Sequence, residues 1–231
     1  MGIEPDKYRQ IRRYPGHWHI LLHIVKALNG RYWGAGVEFV AQALGTDDKK
    51  SGDASNYRRA HQTLSVTYEA LWTMCLEMYL EEITSGDIRA EDQRNADGVV
   101  EWIKARNVHR TFDLWAQFLL HDYPAYMTFR VALRTGNFLL RLDALRRIAE
   151  IFFITEKDRF QMLLLDHFTE MARMSPSDTK VMAELFFVAL GKDAQARIGL
   201  DERQEVANRL NKTCTKRILS SSLGKMAPLA R

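Results

Sequence analysis

A chain of 231 residues, 46% hydrophobic and 27% charged, has the balance of an ordinary water-soluble fold and is long enough for a real core. Its 5 Pro and 13 Gly are too few for a loop-rich or all-β architecture. A formal charge of +4 admits a nucleic-acid partner without demanding one.

The chain opens on a polar segment, 1–16, that ends in the turn signal Tyr14-Pro15-Gly16. This segment lacks the apolar stretch of a signal peptide, and Asp6 stands where a myristoylation signal needs Ser or Thr. A helical pattern follows from about His17 to Leu28, closed by Asn29-Gly30, and a shorter one covers about Gly36 to Leu44. After a charged loop, Thr46 to Ser55, the longest periodic segment runs from about Asn56 to Ile83. Leu64, Tyr68, Leu71, Trp72, Cys75, Leu76, Tyr79 and Leu80 are its predicted buried side. Glu77, Glu81 and Glu82 crowd its C-terminal end, where the macrodipole disfavours acids, so fraying is expected there. Residues 86–98 are the most polar interval. They read as a linker or insertion between an N-terminal helical part, 17–85, and a C-terminal helical part, 99–219.

The C-terminal part is organised around Trp115 to Phe168, three apolar segments punctuated by Thr135-Gly136-Asn137 and Thr155-Glu156-Lys157-Asp158. In the middle segment Leu139, Leu142, Leu145, Ile148, Ala149, Phe152 and Phe153 recur at three- and four-residue steps, which predicts one broad apolar helix face. Arg141, Arg146, Arg147 and Glu150 fall largely on the other side. Thr155 with Asp158 resembles a capping box, and Ser175-Pro176-Ser177-Asp178 offers a cap followed by proline at the first helical position. These start predicted helices of about 156–173 and 176–190, and a last helix covers about Glu202 to Leu219. The tail, 220–231, is expected to be disordered. The predicted fold is mainly α: a multi-helix globular bundle of about eight to ten helices with little or no sheet.

No run approaches the roughly 18 apolar residues of a membrane span, so no membrane partner is expected. Cys75 and Cys214 both fall in helical patterns, which reads as free thiols in a reducing, intracellular compartment, nucleus or cytoplasm.

Three groups of side chains carry candidate chemistry. His19 and His23, with His17 close by, lie four residues apart and would share a helix face, the spacing of a His-x-x-x-His zinc pair. Ile20 and Leu21 follow His19, so the glutamate of a zinc protease is absent and no third ligand stands out. The plainer reading is a partly buried histidine bonded to backbone. Asp201, Glu202 and Glu205 form an acidic cluster of the kind that binds Mg²⁺. The same residues also suit an N-cap at Asp201 and a stabilising first turn. A scattered basic set comprises Arg58, Arg59, Arg130, Arg134, Arg141, Arg146, Arg147, Lys212, Lys216 and Arg217. Lys212 and Lys216 share a face that Arg217 adjoins and that could contact phosphates; a solvated helix side is the ordinary alternative.

Read in order, several short blocks resemble a family. Tyr14-Pro15-Gly16-His17-Trp18-His19 is similar to a Pro-Gly-Asp-Trp-His signature found in transposon-derived proteins with an RNase H-like, DDE-transposase-type core. Arg59-Ala60-His61-Gln62-Thr63-Leu64 with Tyr68-Glu69-Ala70-Leu71-Trp72 looks like the next helix of that family. Trp115, Asp122, Ala125-Tyr126, Arg134-Thr135-Gly136-Asn137-Phe138 and Leu140-Arg141 look like its most recognisable block. Asp201-Glu202-Arg203-Gln204-Glu205, with Asn208 and Lys212, looks like its terminal Asp-Glu-x-His-Glu element, so the likeness covers most of residues 14–218. The resemblance implies the helical insertion and C-terminal portion of a transposase-like protein, with Glu205 and Glu202 as remnants of its acidic site.

Two departures bear on activity. His17 replaces the acid of the signature, and an imidazole does not supply the hard anionic oxygen Mg²⁺ prefers. The strands expected upstream, one bearing the first catalytic acid, have no counterpart before Tyr14, and Gln204 replaces the histidine of the terminal element. The sequence therefore predicts a transposase-derived helical domain without catalysis of its own. No cofactor is expected, Mg²⁺ entering only as part of a larger active enzyme. Nucleic acid, DNA first, is the expected partner, through Arg58, Arg59, Arg146, Arg147, Lys212, Lys216 and Arg217. The alternatives are a helical module that binds a protein partner and a metalloenzyme dependent on His19 and His23.

Overall fold

A computed structural model describes residues 14–45, 56–86, 95–106, 109–190, 193–199, 201–208 and 210–213. Among the described residues nine α-helices lead in chain order to a hairpin: α1 (His17–Tyr32), α2 (Val37–Ala43), α3 (Tyr57–Ser85), α4 (Ala96–Ala105), α5 (Arg110–Gln117), α6 (Tyr123–Thr135), α7 (Phe138–Ile154), α8 (Asp158–Arg173) and α9 (Pro176–Leu185). Strands β1 (Phe187–Leu190) and β2 (Asp193–Gly199) follow, and a further helix, α10, covers 201–208. The fold is mainly α, as the periodicity predicts. No helix among the described residues is long and apolar enough to cross a membrane.

The core forms around α1. Ile20, Ile24, Val25, Leu28 and Tyr32 are buried at helical spacing. They pack in one cluster with Tyr126 and Phe129 of α6, Leu145, Ile148 and Phe152 of α7, and Leu164 of α8. Helix α1 does not stop at Asn29-Gly30 as expected. It continues to Tyr32 because burial there outweighs the roughly 1 kcal/mol that an internal glycine costs. The Tyr32 hydroxyl donates to Asp122 Oδ2 at 2.7 Å, and Arg31 stands 3.4 Å from the same oxygen.

Helices α5 and α6 are one rod interrupted by a π-helical turn at Phe118–Asp122. Pro124 explains the interruption. It has no amide hydrogen and its ring would crowd the carbonyl four residues back, so the preceding turn widens and the Tyr123 amide donates to Phe118 O. A second, smaller core lies where α3 meets α4 and this rod, built from Cys75, Tyr79, Val99, Trp102, Ile103 and Leu119. Cys75 is a buried free thiol, while Cys214 lies outside the described residues. The expected fraying of α3 is not seen. Glu82 accepts from Trp102 Nε1 at 2.8 Å and pairs with Arg106, whose guanidinium lies 4.2 Å from the Trp102 ring. The polar interval is also shorter than expected: α4 begins at Ala96, with the Asn95 side chain accepting from the Gly98 amide at 2.8 Å. Residues 87–94 and the tail, 220–231, lie outside the described residues.

In α7 the predicted face is rotated. Leu145, Ile148 and Phe152 are buried, but Leu139 and Phe153 are 76% and 73% exposed and Arg141 is wholly buried. Positions 141, 145, 148 and 152 follow one another at four- and three-residue steps, so burying the leucine face carries Arg141 inward with it. At the next boundary the Thr155 hydroxyl donates back to Ile151 O instead of capping, and α8 begins at Asp158 without a side-chain cap. Ser175 does cap α9, its Oγ accepting from the Asp178 amide at 3.1 Å ahead of Pro176.

Helix α9 ends at Leu185 and not near 190. The following residues pair as an antiparallel hairpin, Phe187 opposite Gly199, Val188 opposite Ile198 and Ala189 opposite Arg197. Phe186, Phe187 and Ile198 are buried against the bundle. Aromatic and β-branched residues in a short run favour a strand, and such runs cannot be told from helix by period alone.

Candidate nucleic-acid interface

At the end of the bundle where α1, α3, α6 and the hairpin meet, a cleft of about 860 Å³ opens. Its charge comes from four arginines on three elements, Arg58 of α3, Arg130 and Arg134 of α6, and Arg197 of β2, with Glu202 of α10 the carboxylate at its edge. Arg130 and Arg134 are one helical turn apart, so α6 presents both on one side. Arg197 arrives by close packing: its side chain crosses Gly136, where an added Cβ would stand 2.6 Å from it. Gly136 also holds φ +66°, the left-handed turn that ends α6, so this position needs glycine twice over.

Aromatic and neutral polar groups line the cleft beside the aliphatic Leu21, Leu22, Leu133 and Val206. Trp18 meets Tyr57 edge to face at 5.1 Å, and Tyr57 lies parallel to His61 at 6.1 Å. The Tyr57 and Tyr126 hydroxyls share a hydrogen bond of 2.8 Å, and the Tyr126 hydroxyl is 3.0 Å from His61 Nδ1. Below them the Tyr123 hydroxyl donates to Ser65 Oγ at 2.8 Å. Arg130 donates to His61 and lies 5.8 Å from the Tyr126 ring. Burial, helped by the Arg130 charge, lowers His61 to about 4, so the ring is neutral at pH 7 and accepts from the guanidinium. Burial likewise raises both Tyr57 and Tyr126, which stay protonated donors. Four planar cationic forks beside aromatic faces can hold phosphate oxygens in pairs and stack on bases.

Asp201 joins the two ends of the chain at this site. Its Oδ2 accepts from the Trp18 amide at 2.8 Å and the His19 amide at 3.4 Å, and stands 3.3 Å from His19 Nδ1. It thus satisfies amides at the start of α1, whose own N-cap residue is Gly16. The expectation that Asp201 caps the helix it begins is corrected by this geometry. The fit is close: a Cβ on Gly16 would stand 2.5 Å from Asp201 Oδ2, and one on Gly199 would stand 2.7 Å from His17 Cβ.

The other expected site residues are dispersed. Arg59 is exposed one position beyond the cleft-lining Arg58, with its amide donating to the Asn56 cap. Arg146 and Arg147 are exposed on the outer side of α7, and Arg147 pairs with Asp143 at 3.0 Å. Lys212 is exposed, while Lys216 and Arg217 lie outside the described residues. Of the remnant acids, Glu202 reaches the cleft, and Glu205 is half-buried one turn further along α10. His19 turns to Asp201 and His23 packs on Phe160 with ring centres 4.1 Å apart, so the two imidazoles serve different neighbours. Among the described residues no three His, Cys, Asp or Glu side chains group to hold a metal ion.

Four cleft residues were not singled out by charge or spacing: Trp18, Tyr57, His61 and Arg197. Trp18 and His61 lie inside blocks of the family resemblance, while Arg197 carries no sequence signal without the hairpin. Compared with known protein families, with curated proteins and with solved structures, the chain matches none.

Proposed function

We propose that the chain is a transposase-derived helical domain that binds nucleic acid in the arginine cleft without performing chemistry on it. The observation that carries this reading is convergence: Arg58, Arg130, Arg134 and Arg197 open onto one concavity with Trp18 and Tyr57, and among the described residues Glu202 is the one carboxylate lining it. Phosphate contacts of this kind supply most of the sequence-independent affinity for nucleic acid, and stacking aromatics add to it on unpaired bases. The proposed origin draws support from the same place. Blocks that resemble the transposon-derived family, separated by up to 183 positions, meet here, with Trp18, His61, Arg134 and Glu202 all lining the cleft.

The test is fluorescence anisotropy of labelled single-stranded and duplex oligonucleotides across a salt series. With three or four phosphates engaged, the slope of log affinity against log salt is expected near about −3. Arg130→Ala or Arg134→Ala should weaken binding and reduce that slope by about 1, whereas Arg146→Ala should change neither. Absence of binding at low salt, or loss of binding only in the Arg146 variant, would reject the cleft.

One observation favours a second reading as a protein-interaction module: Leu139, Phe153 and Leu165 are exposed on α7 and α8. A partner held there would stay bound as salt rises, which separates it from phosphate binding.

A further inference from the structure

The arginine cleft has two kinds of lining. Beside its guanidiniums lie the aliphatic side chains of Leu21, Leu22, Leu133 and Val206, with the half-buried rings of Trp18 and Tyr57. Aliphatic carbon offers a phosphate nothing: a charged backbone laid on it loses water and gains no hydrogen bond. It suits the flat faces of nucleobases, which in a duplex are stacked on one another and out of reach. A ligand that uses both linings carries phosphates and exposed base faces together.

Shape favours the same ligand. Duplex readers commonly push a helix or a β-ribbon into the major groove, which is about 12 Å wide. Here the cationic groups of α3, α6 and β2 line a hollow of about 860 Å³ instead. A hollow receives what projects, and bases project from a strand only when they are unpaired. The volume is that of a pocket for a ligand of a few linked rings, which admits a short run of nucleotides and not the body of a double helix. The carboxylate in the lining also fits. Glu202 stands near enough to Tyr57 for its charge to help keep that phenol protonated. A carboxylate repels phosphate but accepts from the exocyclic amines of bases. The rings are anchored in advance: the Tyr57 hydroxyl shares a hydrogen bond of 2.8 Å with Tyr126, and the Trp18 amide donates to Asp201 at 2.8 Å. Platforms fixed in this way lose little freedom when a base stacks on them.

We propose that the cleft takes a short stretch of single-stranded nucleic acid. Its phosphates lie on Arg58, Arg130, Arg134 and Arg197, and its unpaired bases lie against Trp18, Tyr57 and the aliphatic lining. This rests on the reading of the cleft as a nucleic-acid site and adds which form of nucleic acid enters it. Stacking and aliphatic contact treat all bases much alike, so sequence preference is weak.

The test is fluorescence anisotropy of the full chain at constant salt with probes matched in phosphate number: a thymidine strand, the same strand without its bases, and a hairpin duplex. The thymidine strand should bind about tenfold tighter than the abasic strand and the hairpin. A uridine strand run alongside separates RNA from DNA as the source, and either strand with this advantage supports the site. Trp18→Leu should weaken the base-bearing strand about tenfold while leaving the abasic strand and the salt slope unchanged. Arg130→Ala should weaken every probe and lower the slope. Equal affinity for base-bearing and abasic strands, or a hairpin that binds as tightly as the strands, overturns the inference. If Arg130→Ala still weakens that binding, the cleft stands as a phosphate site and only its preference for unpaired strand is lost. No binding of any probe at low salt removes both. If Trp18→Leu does not fold, the abasic comparison in the unmodified chain decides alone.

Discussion

Asp201→Ala tests whether the two ends of the chain are joined as the geometry indicates. The carboxylate receives the Trp18 amide at 2.8 Å and the His19 amide at 3.4 Å, and it sits at the positive end of the sixteen-residue helix α1. Loss of an N-terminal cap costs about 1 kcal/mol, and loss of a negative charge at a partly buried helix start about 0.5–1 kcal/mol more. The side chain is 23% exposed, which leaves most of that effect in place. A total near 2 kcal/mol corresponds to a fall of about 4–8 °C in unfolding temperature for a chain of this size. Asp201→Asn keeps an acceptor and loses the charge, so it should give roughly half the effect. Glu205→Ala is the comparison. If Asp201 were only a first-turn acid of α10, the two alanine variants would behave alike, each within about 0.5 kcal/mol of the parent. Urea denaturation followed by circular dichroism reads all three, and equal shifts for Asp201→Ala and Glu205→Ala would refute the cross-chain cap.

Other substitutions probe the frame of the cleft. Gly136→Ala places a Cβ at φ +66° and 2.6 Å from Arg197, so it should destabilise by about 1–2 kcal/mol in urea and displace Arg197, weakening oligonucleotide binding in the same variant. Ser175→Ala removes the cap of α9 and should lower stability by about 1 kcal/mol without changing oligonucleotide affinity. Stability should also fall with acid. His61 at about 4 and His167 at about 3 lie below the ordinary histidine value of 6.5, so the unfolded chain binds protons that the folded chain refuses. That contribution is complete above about pH 6.5 and is lost as pH falls from there, toward about 4 for His61 and about 3 for His167. The slope should ease by about 1.4 kcal/mol per pH unit in His167→Gln, read from urea midpoints between pH 6.5 and 4.5.

The helical class and most element limits were legible because apolar residues recur at helical steps over long segments, and Ser175 with Pro176 marked a boundary by local chemistry alone. What escaped was decided by contacts distant in sequence. Asn29-Gly30 reads as a stop, yet Tyr32 is drawn on by Asp122, ninety positions away. Arg141 reads as surface because it is charged, and its burial follows only from which stripe of α7 meets α1 and α8. Asp201 reads as the cap of its own helix, and its carboxylate turns instead to amides near the other end of the chain. The cleft was half visible. Arg130 and Arg134 stand one turn apart on a predicted helix, but Arg197 reaches them through a hairpin that a short apolar run did not disclose.

The role of divalent cations follows from the same charges. Two-metal phosphoryl chemistry needs carboxylates that converge on the metals. At the cleft, Asp201 Oδ2 is occupied by two backbone amides, Glu205 sits a turn beyond the edge, and Glu202 shares the lining with four arginines. A divalent cation brought there meets repulsion from the guanidiniums and competes with them for phosphate. Magnesium should therefore weaken oligonucleotide binding at constant ionic strength, and chelation by EDTA should restore it. Arg134→Ala should show a smaller magnesium penalty than the parent chain, because one of the competing cations is gone. If magnesium instead tightened binding, and Glu202→Gln removed that gain, the cleft would be a metal-dependent site and its arginines would be guiding phosphate toward a metal.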